Sequence, residues 1–104
     1  IRILIYGNET YLGGIMKKRS GLNVTKYRGQ TIAQLYNTII FVQKRNGDIV
    51  LNRGSWDTKH TKHCINDMLP SKYYVFQKKF VWYVQDRINN TVQEFKNNMI
   101  LKGV

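Results

Sequence analysis

The residue types most often used in catalysis are concentrated in one short segment, HTKHC at 60–64. On a helix, His60 could share a face with His63 or with the one cysteine of the chain. A structural zinc needs four ligands, and only Asp57 or Asp67 could complete such a set here. The two histidines could instead exchange protons during phosphodiester cleavage, as in a small ribonuclease. We predict neither a metal nor another cofactor, and a non-catalytic protein, with a ribonuclease as the enzymatic alternative.

A second pattern combines aromatic rings with cations. Residues 72–83 read KYYVFQKKFVWY, so rings and ammonium groups alternate along one predicted hairpin. Proteins that bind single-stranded nucleic acid stack bases on rings and hold phosphates with lysine or arginine. Successive strand residues point to opposite faces, so one set of rings belongs to the core, and we assign Trp82 to it. The rings predicted to be exposed are Tyr73, Tyr83 and Trp56.

The charge balance favours an anionic partner. The 104 residues include 17 Lys and Arg against 6 Asp and Glu, for a net charge of +11. A charge of about 2–8 is enough to keep a small domain in solution, and self-repulsion at higher charge costs stability. We therefore expect nucleic acid first, then a ribonucleoprotein or acidic protein of a host, and anionic lipid last. A charge that serves solubility alone is the alternative.

The predicted binding residues come from four basic segments and their neighbouring rings. They are Lys17, Lys18, Arg19, Arg53, Trp56, Lys59, Lys62, His63, Tyr73, Lys78 and Lys79. Nucleic-acid binding predicts that the cations at 17–19, 59, 62, 78 and 79 form one continuous basic face. No small-molecule substrate is predicted, because the chain has no glycine-rich phosphate-binding loop and its carboxylates are scattered.

The cysteine count fits a reducing compartment, and the hydrophobicity of the chain fits a soluble protein. A single cysteine cannot form an intrachain disulfide, and the longest apolar run, 39–42, is far too short to cross a bilayer. The first residues lack the apolar region of a signal peptide. They also lack an initiator methionine, so we expect the chain to have been trimmed or to begin inside a longer product. We expect a soluble, cytoplasmic protein without a membrane partner.

Short strands and one helix must position these residues. The predicted strands are 1–6, 22–28, 36–44, 48–52, 73–77, 80–85, 91–96 and 99–101. Residues 30–34 could form a helical turn or lead into the next strand, and we choose the latter. Residues 17–19 are predicted to be an exposed loop. Asn46-Gly47 predicts a two-residue type I′ turn, and Lys78-Lys79 predicts a hairpin tip.

The helix is predicted over about 58–69. Asp57 or Thr58 can cap it, and Pro70 stops it. Residues spaced for one apolar stripe are Thr61, Cys64, Ile65 and Met68. Residues assigned to the opposite, solvent-facing side are Lys59, Lys62, His63 and Asn66.

These elements predict one α+β domain over 1–104. We expect a meandering antiparallel β-sheet with one short helix packed on one face. The predicted core consists of Ile3, Ile5, Ile39, Phe41, Ile49, Leu51, Ile65, Met68, Leu69, Val75, Trp82, Val84 and Phe95.

Residues 36–84 resemble a family of small domains encoded by tailed bacteriophages. The segments that carry the resemblance are YNTIIFV, GDIVLNRGSWDTKHTKHCIN and YYVFQKKFVWYV. They cover about half of the chain and leave residues 1–29 outside. The resemblance implies a phage accessory protein that works in the bacterial cytoplasm, and it transfers no catalytic residue.

Two functions therefore stay open. The first is a non-catalytic nucleic-acid-binding protein that uses Lys and Arg for phosphates and exposed rings for stacking. The alternative is a non-enzymatic inhibitor of a host defence system, similar to an anti-CRISPR protein. Such an inhibitor would anchor its rings on an acidic protein surface or a ribonucleoprotein.

Overall fold

The structure is a computed structural model that describes residues 5–6, 9–12 and 15–102, with side chains from residue 19 onward. In this part of the chain, the elements follow in the order β1 (Ile5–Tyr6), β2 (Glu9–Leu12), β3 (Ile15–Lys18), β4 (Leu22–Tyr27), β5 (Gln30–Leu35), β6 (Thr38–Gln43), β7 (Ile49–Leu51), α1 (Lys59–Met68), β8 (Tyr73–Lys78), β9 (Val81–Asp86), β10 (Thr91–Glu94) and β11 (Met99–Leu101).

The strands form three antiparallel sheets. Their orders are β1-β2-β3, β11-β7-β6-β5-β4 and β10-β9-β8. Within each sheet, paired strands are neighbours in sequence except for β7 and β11. The predicted α+β class is confirmed, and the predicted meander is divided between the three sheets.

The helix α1 forms as predicted. The Thr58 hydroxyl caps it by accepting the backbone N–H of Thr61 at 3.2 Å. The four residues of the predicted stripe, Thr61, Cys64, Ile65 and Met68, are the buried residues of the helix. The helix contacts β5, β6 and β8, so it joins the five-stranded sheet to the β8–β10 sheet. The apolar face of α1 therefore lies at the centre of the core.

A β-bulge in β6 changes which isoleucine enters the core. Ala33 pairs with Phe41, whereas Gln34 pairs with Ile39, so Ile40 is the extra residue. An extra residue shifts the alternation of faces by one. Ile40 and Phe41 are consequently both buried, while Ile39 is 45% exposed. The prediction that Ile39 belongs to the core is wrong for this reason.

Most other predicted core residues are buried as expected. They are Phe41, Ile49, Leu51, Ile65, Met68, Leu69, Val75, Trp82, Val84 and Phe95. The same core also contains Leu22, Val24, Ala33, Leu35, Ile40, Cys64, Tyr73 and Leu101. Ile3 and the side chain of Ile5 lie outside the described residues.

Two segments differ from their predicted structure. Residues 30–34 belong to a complete strand, β5, which pairs with β4 on one side and β6 on the other. Lys17 and Lys18 lie in β3 and pair with β2, so the prediction of an exposed loop is wrong. Because β3 is an edge strand of its sheet, adjacent lysines are compatible with it and discourage further pairing.

The turn at Asn46-Gly47 is also different. Of these two residues, only Gly47 has a positive φ, 96°. The N–H of Gly47 donates to the carbonyl of Lys44 at 2.9 Å, and the N–H of Lys44 donates to the carbonyl of Asp48 at 2.7 Å. This is a three-residue hairpin loop with glycine at the bulge position rather than a type I′ turn.

One carboxylate organises the turn after β9. Asp86 accepts the backbone N–H groups of Ile88 and Asn89, both at 3.0 Å, and the side-chain amide of Asn89 at 2.9 Å. Lys72 Nζ lies 3.9 Å from the same carboxylate. Hydrogen bonding, led by the backbone N–H of Asn89, lowers the pKa of Asp86. The charged form is therefore favoured by folding.

We expect Asp86→Asn to lower the Tm at neutral pH, with a difference from wild type that shrinks in acid. A carboxylate whose folded pKa is lowered stabilises the fold above its unfolded pKa of about 3.9. That contribution is lost as the pH falls through the folded pKa. Thermal denaturation between about pH 7 and pH 2 measures the difference, with Glu94→Gln as an exposed control. A Tm difference independent of pH would contradict this role.

Candidate functional site

A groove runs between α1 and the edge strand β8. Its lining residues are Lys59, Lys62, His63 and Asn66 from the helix, and Tyr74, Val75, Phe76 and Gln77 from the strand. The groove has a volume of about 390 Å³. Because the helix contributes cations and the strand contributes rings, one wall is basic and the other is aromatic.

Side-chain hydrogen bonds hold these two walls together. The amide of Asn66 donates to the carbonyl of Val75 at 2.9 Å and accepts the N–H of Val75 at 2.8 Å. These two hydrogen bonds satisfy the backbone N–H and carbonyl of Val75, which an edge strand otherwise presents to solvent. Lys62 Nζ donates to Gln77 Oε1 at 2.9 Å. Asn66, predicted on the solvent side of the helix, is half-buried and joins α1 to β8.

The buried ring of Trp82 positions two cations. Lys62 Nζ lies 5.8 Å and the Arg53 guanidinium 5.0 Å from its ring centroid, which is within the range of cation–π attraction. The indole N–H donates to Asp57 at 2.5 Å, and Phe95 meets the ring edge-on at 5.5 Å. Trp82 is 3% exposed, as predicted for a core residue. It therefore connects Arg53 and Lys62 to the core.

The groove continues onto the outer face of the β8–β10 sheet through Phe76. The Phe76 ring stacks with Tyr74 at 6.4 Å and with Tyr83 at 5.5 Å. Phe76 also lines a shallow depression of about 320 Å³ that includes Lys78 and Tyr83. The Arg87 guanidinium lies 4.9 Å from the Tyr74 ring. We define the aromatic–basic surface as Lys59, Lys62, His63, Tyr74, Phe76, Lys78, Tyr83 and Arg87.

The structure gathers several of the predicted site residues on this surface. Lys59, Lys62 and His63 line the groove, and Lys78 lies on the outer face. Arg53 contacts the same Trp82 ring as Lys62 but is not part of this surface. The side chains of Lys17 and Lys18 lie outside the described residues, so a single basic face that includes them stays a prediction.

Arg19 has a structural partner. Its Nε donates to Asp67 Oδ2 at 2.6 Å, and its Nη2 donates to Asp67 Oδ1 at 3.3 Å. The hydrogen bond with Asp67 raises the pKa of Arg19 further above its ordinary value. This forked ion pair connects the segment after β3 to α1.

Tyr73 is not an exposed ring. It is 7% exposed, and its hydroxyl donates to the carbonyl of Lys102 at 2.6 Å. Tyr73 shares the inner face of β8 with Val75, as the two-residue period of a strand requires. The prediction of exposure is therefore wrong, and the same alternation identifies Tyr74 and Phe76 as outer rings. Tyr83 is half-buried on the outer face.

Trp56 is exposed as predicted but borders a different pocket. Its ring lies 6.1 Å from that of Tyr36, and both line a pocket of about 360 Å³ that also includes His60. Tyr36 covers Gly21 so closely that a Cβ at Gly21 would overlap the ring. The φ of Gly21 is 77°, a conformation that also favours glycine. Trp56 is not part of the aromatic–basic surface.

The histidines and the cysteine do not form a catalytic arrangement. His60 Nε2 donates to the carbonyl of Ser20 at 2.7 Å, and the ring lines the Trp56 pocket, whereas His63 lines the groove. His60 Nε2 lies 3.8 Å from Cys64 Sγ, but this nitrogen carries a proton that it donates to that carbonyl, so it cannot take up the proton of the thiol. Burial raises the pKa of Cys64 to about 11, so it is a thiol at neutral pH. In the described ranges, no group of three or more His, Cys, Asp or Glu residues could hold a metal.

The tip of the β8–β9 hairpin is formed by Lys79 and Phe80. Lys78 pairs with Val81, so the turn lies one residue further along than predicted. Both tip residues have a positive φ, 51° and 68°, which defines a type I′ turn. This left-handed conformation costs a residue other than glycine about 1–2 kcal/mol. The Phe80 side chain is 90% exposed.

Comparisons with known proteins identify the family of the chain. A family model described as Kyanoviridae Gp96 protein matches residues 15–102. No curated protein and no solved structure gives a match. No helix in the described part of the chain has the length and apolar composition needed to cross a bilayer. The family match is longer than the phage resemblance at 36–84 and includes every element from β3 to β11. The chain therefore belongs to the Kyanoviridae Gp96 protein family, a family of phage proteins.

Proposed function

We propose that this protein binds single-stranded nucleic acid along the aromatic–basic surface, as a non-catalytic accessory protein in the cytoplasm of the infected host. The observation that carries the proposal is the groove between α1 and β8, where lysines face aromatic rings. Proteins that bind single strands combine a positively charged groove with rings on which bases stack. Both parts of this arrangement are present within one groove.

The ring positions favour a single strand over a duplex. Tyr74 and Phe76 belong to one strand and Tyr83 to its neighbour, so they form a row on one sheet face. Bases inside a duplex are already stacked and paired, so they cannot lie on such rings without being unpaired first. A single strand offers its bases freely, and stacking on rings tolerates any sequence. We therefore expect a preference for single strands with little sequence selectivity.

The cations of the groove support the proposed contact with the phosphate backbone. Lys62 is held by Gln77 and by the Trp82 ring, so it loses less side-chain freedom when it meets a phosphate than a free lysine does. Lys59 and His63 line the same wall. The net charge of +11 adds long-range attraction to any nucleic acid. The rings of the groove would then favour a single strand, because its bases can stack on them.

Fluorescence anisotropy with labelled single-stranded DNA, single-stranded RNA and duplex tests the proposal. Strands of about 15 nucleotides cover one binding site of this kind, and salt is varied from about 50 to 200 mM. We expect affinity for single strands in the micromolar range or tighter, with weaker binding to duplex. Binding that does not distinguish single strands from duplex and vanishes at the higher salt would contradict the proposal, because general charge attraction would then explain it.

Replacing Lys59 and Lys62 by alanine is expected to weaken this binding and its salt dependence. Each phosphate contact contributes about 0.7 to the slope of log affinity against log salt for a single strand. The double variant should therefore lose about 1.4 units of slope. Lys44→Ala with Lys96→Ala is the matched control, because it removes the same charge at exposed positions outside the groove. Equal losses in both double variants would show that net charge, and not the groove, determines binding.

A second candidate function is inhibition of a host defence system through protein binding, similar to an anti-CRISPR protein. The observation that favours it is the exposure of apolar side chains at Ile88, 74% exposed, and Ile100, 58% exposed. Exposed apolar residues can anchor a protein interface. Affinity capture from host lysate distinguishes the two functions, because a protein complex survives nuclease treatment. Capture that disappears with the nucleic acid would favour the first function.

A further inference from the structure

Phenylalanine is an unfavourable residue type at position 80, both for its side chain and for its backbone conformation. Its ring is 90% exposed, so it buries almost no apolar surface. Its φ of 68° lies in the left-handed region, where a bulky residue is uncommon. A turn selected for stability alone would carry glycine or asparagine at this position.

The chain itself contains the expected alternative. The β4–β5 hairpin has a two-residue turn of the same type, formed by Arg28 and Gly29 with φ of 50° and 80°. Gly29 holds the same position in that turn as Phe80 does between β8 and β9. Both turns begin with a cation, Arg28 in one and Lys79 in the other. They differ at the second position, which is glycine in the first turn and phenylalanine in the second. The stability of the turn therefore does not explain why a phenylalanine ring is present at position 80.

The tip lies in line with the aromatic–basic surface. Phe76 pairs with Tyr83, and two residue pairs further along Lys78 pairs with Val81. At about 3.3 Å per strand residue, Phe80 lies roughly 10 Å beyond the Phe76–Tyr83 pair. Lys78 borders the depression that contains both of these rings. A nucleic-acid strand that follows the rings towards the turn would thus reach Phe80.

We propose that Phe80 is a further nucleic-acid contact, whose ring stacks on a base or enters between two successive bases of the bound single strand. The inference rests on the proposed function. Lys78 and Lys79 directly precede the ring and would meet the phosphates on either side of that base. Apolar side chains inserted between bases are an established way to engage nucleic acid. The two preceding lysines favour a nucleic acid over an apolar pocket of another protein as the partner of this ring.

Replacing Phe80 by glycine separates the two properties of this residue. The variant should raise the Tm by roughly 2–6 °C, because glycine adopts the turn conformation without strain. It should also weaken single-strand binding by about 5- to 150-fold, because one stacked base is lost. Phe80→Asn suits the turn, also lacks the ring and should behave in the same way. Phe80→Trp keeps a ring and should retain the affinity of the wild type.

A direct measurement of stacking completes the experiment. The probe is a single-stranded oligonucleotide that contains the fluorescent base 2-aminopurine, whose emission responds to stacking. The 2-aminopurine is placed at each position of the oligonucleotide in turn. Wild type and Phe80→Trp should change its emission at one or more positions. Phe80→Gly should leave the emission unchanged at one of these positions. Ile88→Gly, at another exposed apolar residue, serves as the control and should leave both affinity and emission unchanged.

The outcomes distinguish this inference from the proposed function. A higher Tm with lower affinity in Phe80→Gly, and retained affinity in Phe80→Trp, supports the contact. Unchanged affinity in Phe80→Gly, together with the loss expected for Lys59→Ala with Lys62→Ala, overturns the contact but keeps the groove. A lower Tm in both Phe80→Gly and Phe80→Asn would show that the ring serves the fold and would also overturn the contact. A wild type that binds no single strand overturns both.

Discussion

Replacing Tyr74 and Phe76 together by alanine is expected to weaken single-strand binding by at least about 30-fold. Each ring that stacks on a base contributes about 1–3 kcal/mol, and every 1.4 kcal/mol is a factor of about ten in affinity. Tyr74 is 40% exposed and Phe76 is half-buried, so their removal should leave the core in place. The expected loss is therefore larger for binding than for folding.

The salt dependence separates this effect from a loss of charge. The double variant removes stacking without removing a phosphate contact, so affinity should fall while the slope against salt stays the same. Lys59→Ala with Lys62→Ala should differ, because it lowers both the affinity and the slope. Tyr27→Ala is the matched control, because Tyr27 is 57% exposed on β4, outside the aromatic–basic surface. If Tyr27→Ala weakens binding as much, the proposed surface is wrong.

Replacing Trp82 by alanine is expected to lower the free energy of unfolding by about 3–5 kcal/mol. The ring is buried against Phe95, and its N–H is the donor to Asp57. Its loss leaves a cavity and removes the surface on which Arg53 and Lys62 lie. A small domain has a total stability of only about 5–15 kcal/mol. The variant should thus lose a large part of the stability of the fold.

Urea denaturation followed by circular dichroism measures this loss. Phe is the conservative replacement, since it fills most of the space but offers no N–H to Asp57. Trp82→Phe should lose less stability than Trp82→Ala, with the lost hydrogen bond to the carboxylate costing about 1.5–3 kcal/mol. A loss below about 1 kcal/mol for Trp82→Ala would contradict the central position of this ring.

The helix could be predicted from sequence because its signals are local. A capping threonine, an apolar residue at each third or fourth position and a following proline lie within a dozen residues of one another. Each signal acts on the backbone next to it, so no distant partner is needed to interpret it. The same holds for the β10–β11 region, whereas the complete strand β5 was not predicted.

Features that depend on distant residues could not be predicted. The bulge at Ile40 is visible only in its pairing with β5, so Ile39 took its place in the predicted core. Asn66 appeared solvent-facing because its partner, the backbone of Val75, belongs to another element. The partner of Arg19 is Asp67, far along the chain. These contacts decide which cations remain available for binding, and a linear pattern does not contain them.

The pairing of β11 with β7 has a consequence for how the protein is made. Met99 pairs with Leu51, and the N–H of Asn98 donates to the carbonyl of Leu51 at 2.7 Å. A ribosome adds about 5–20 residues per second, so β7 leaves the exit tunnel several seconds before its partner. During that interval β7 is an open edge that could pair with another nascent chain. Several ribosomes on one message bring such edges close together, and the yield of folded protein should therefore fall when translation pauses between the codons for these two strands.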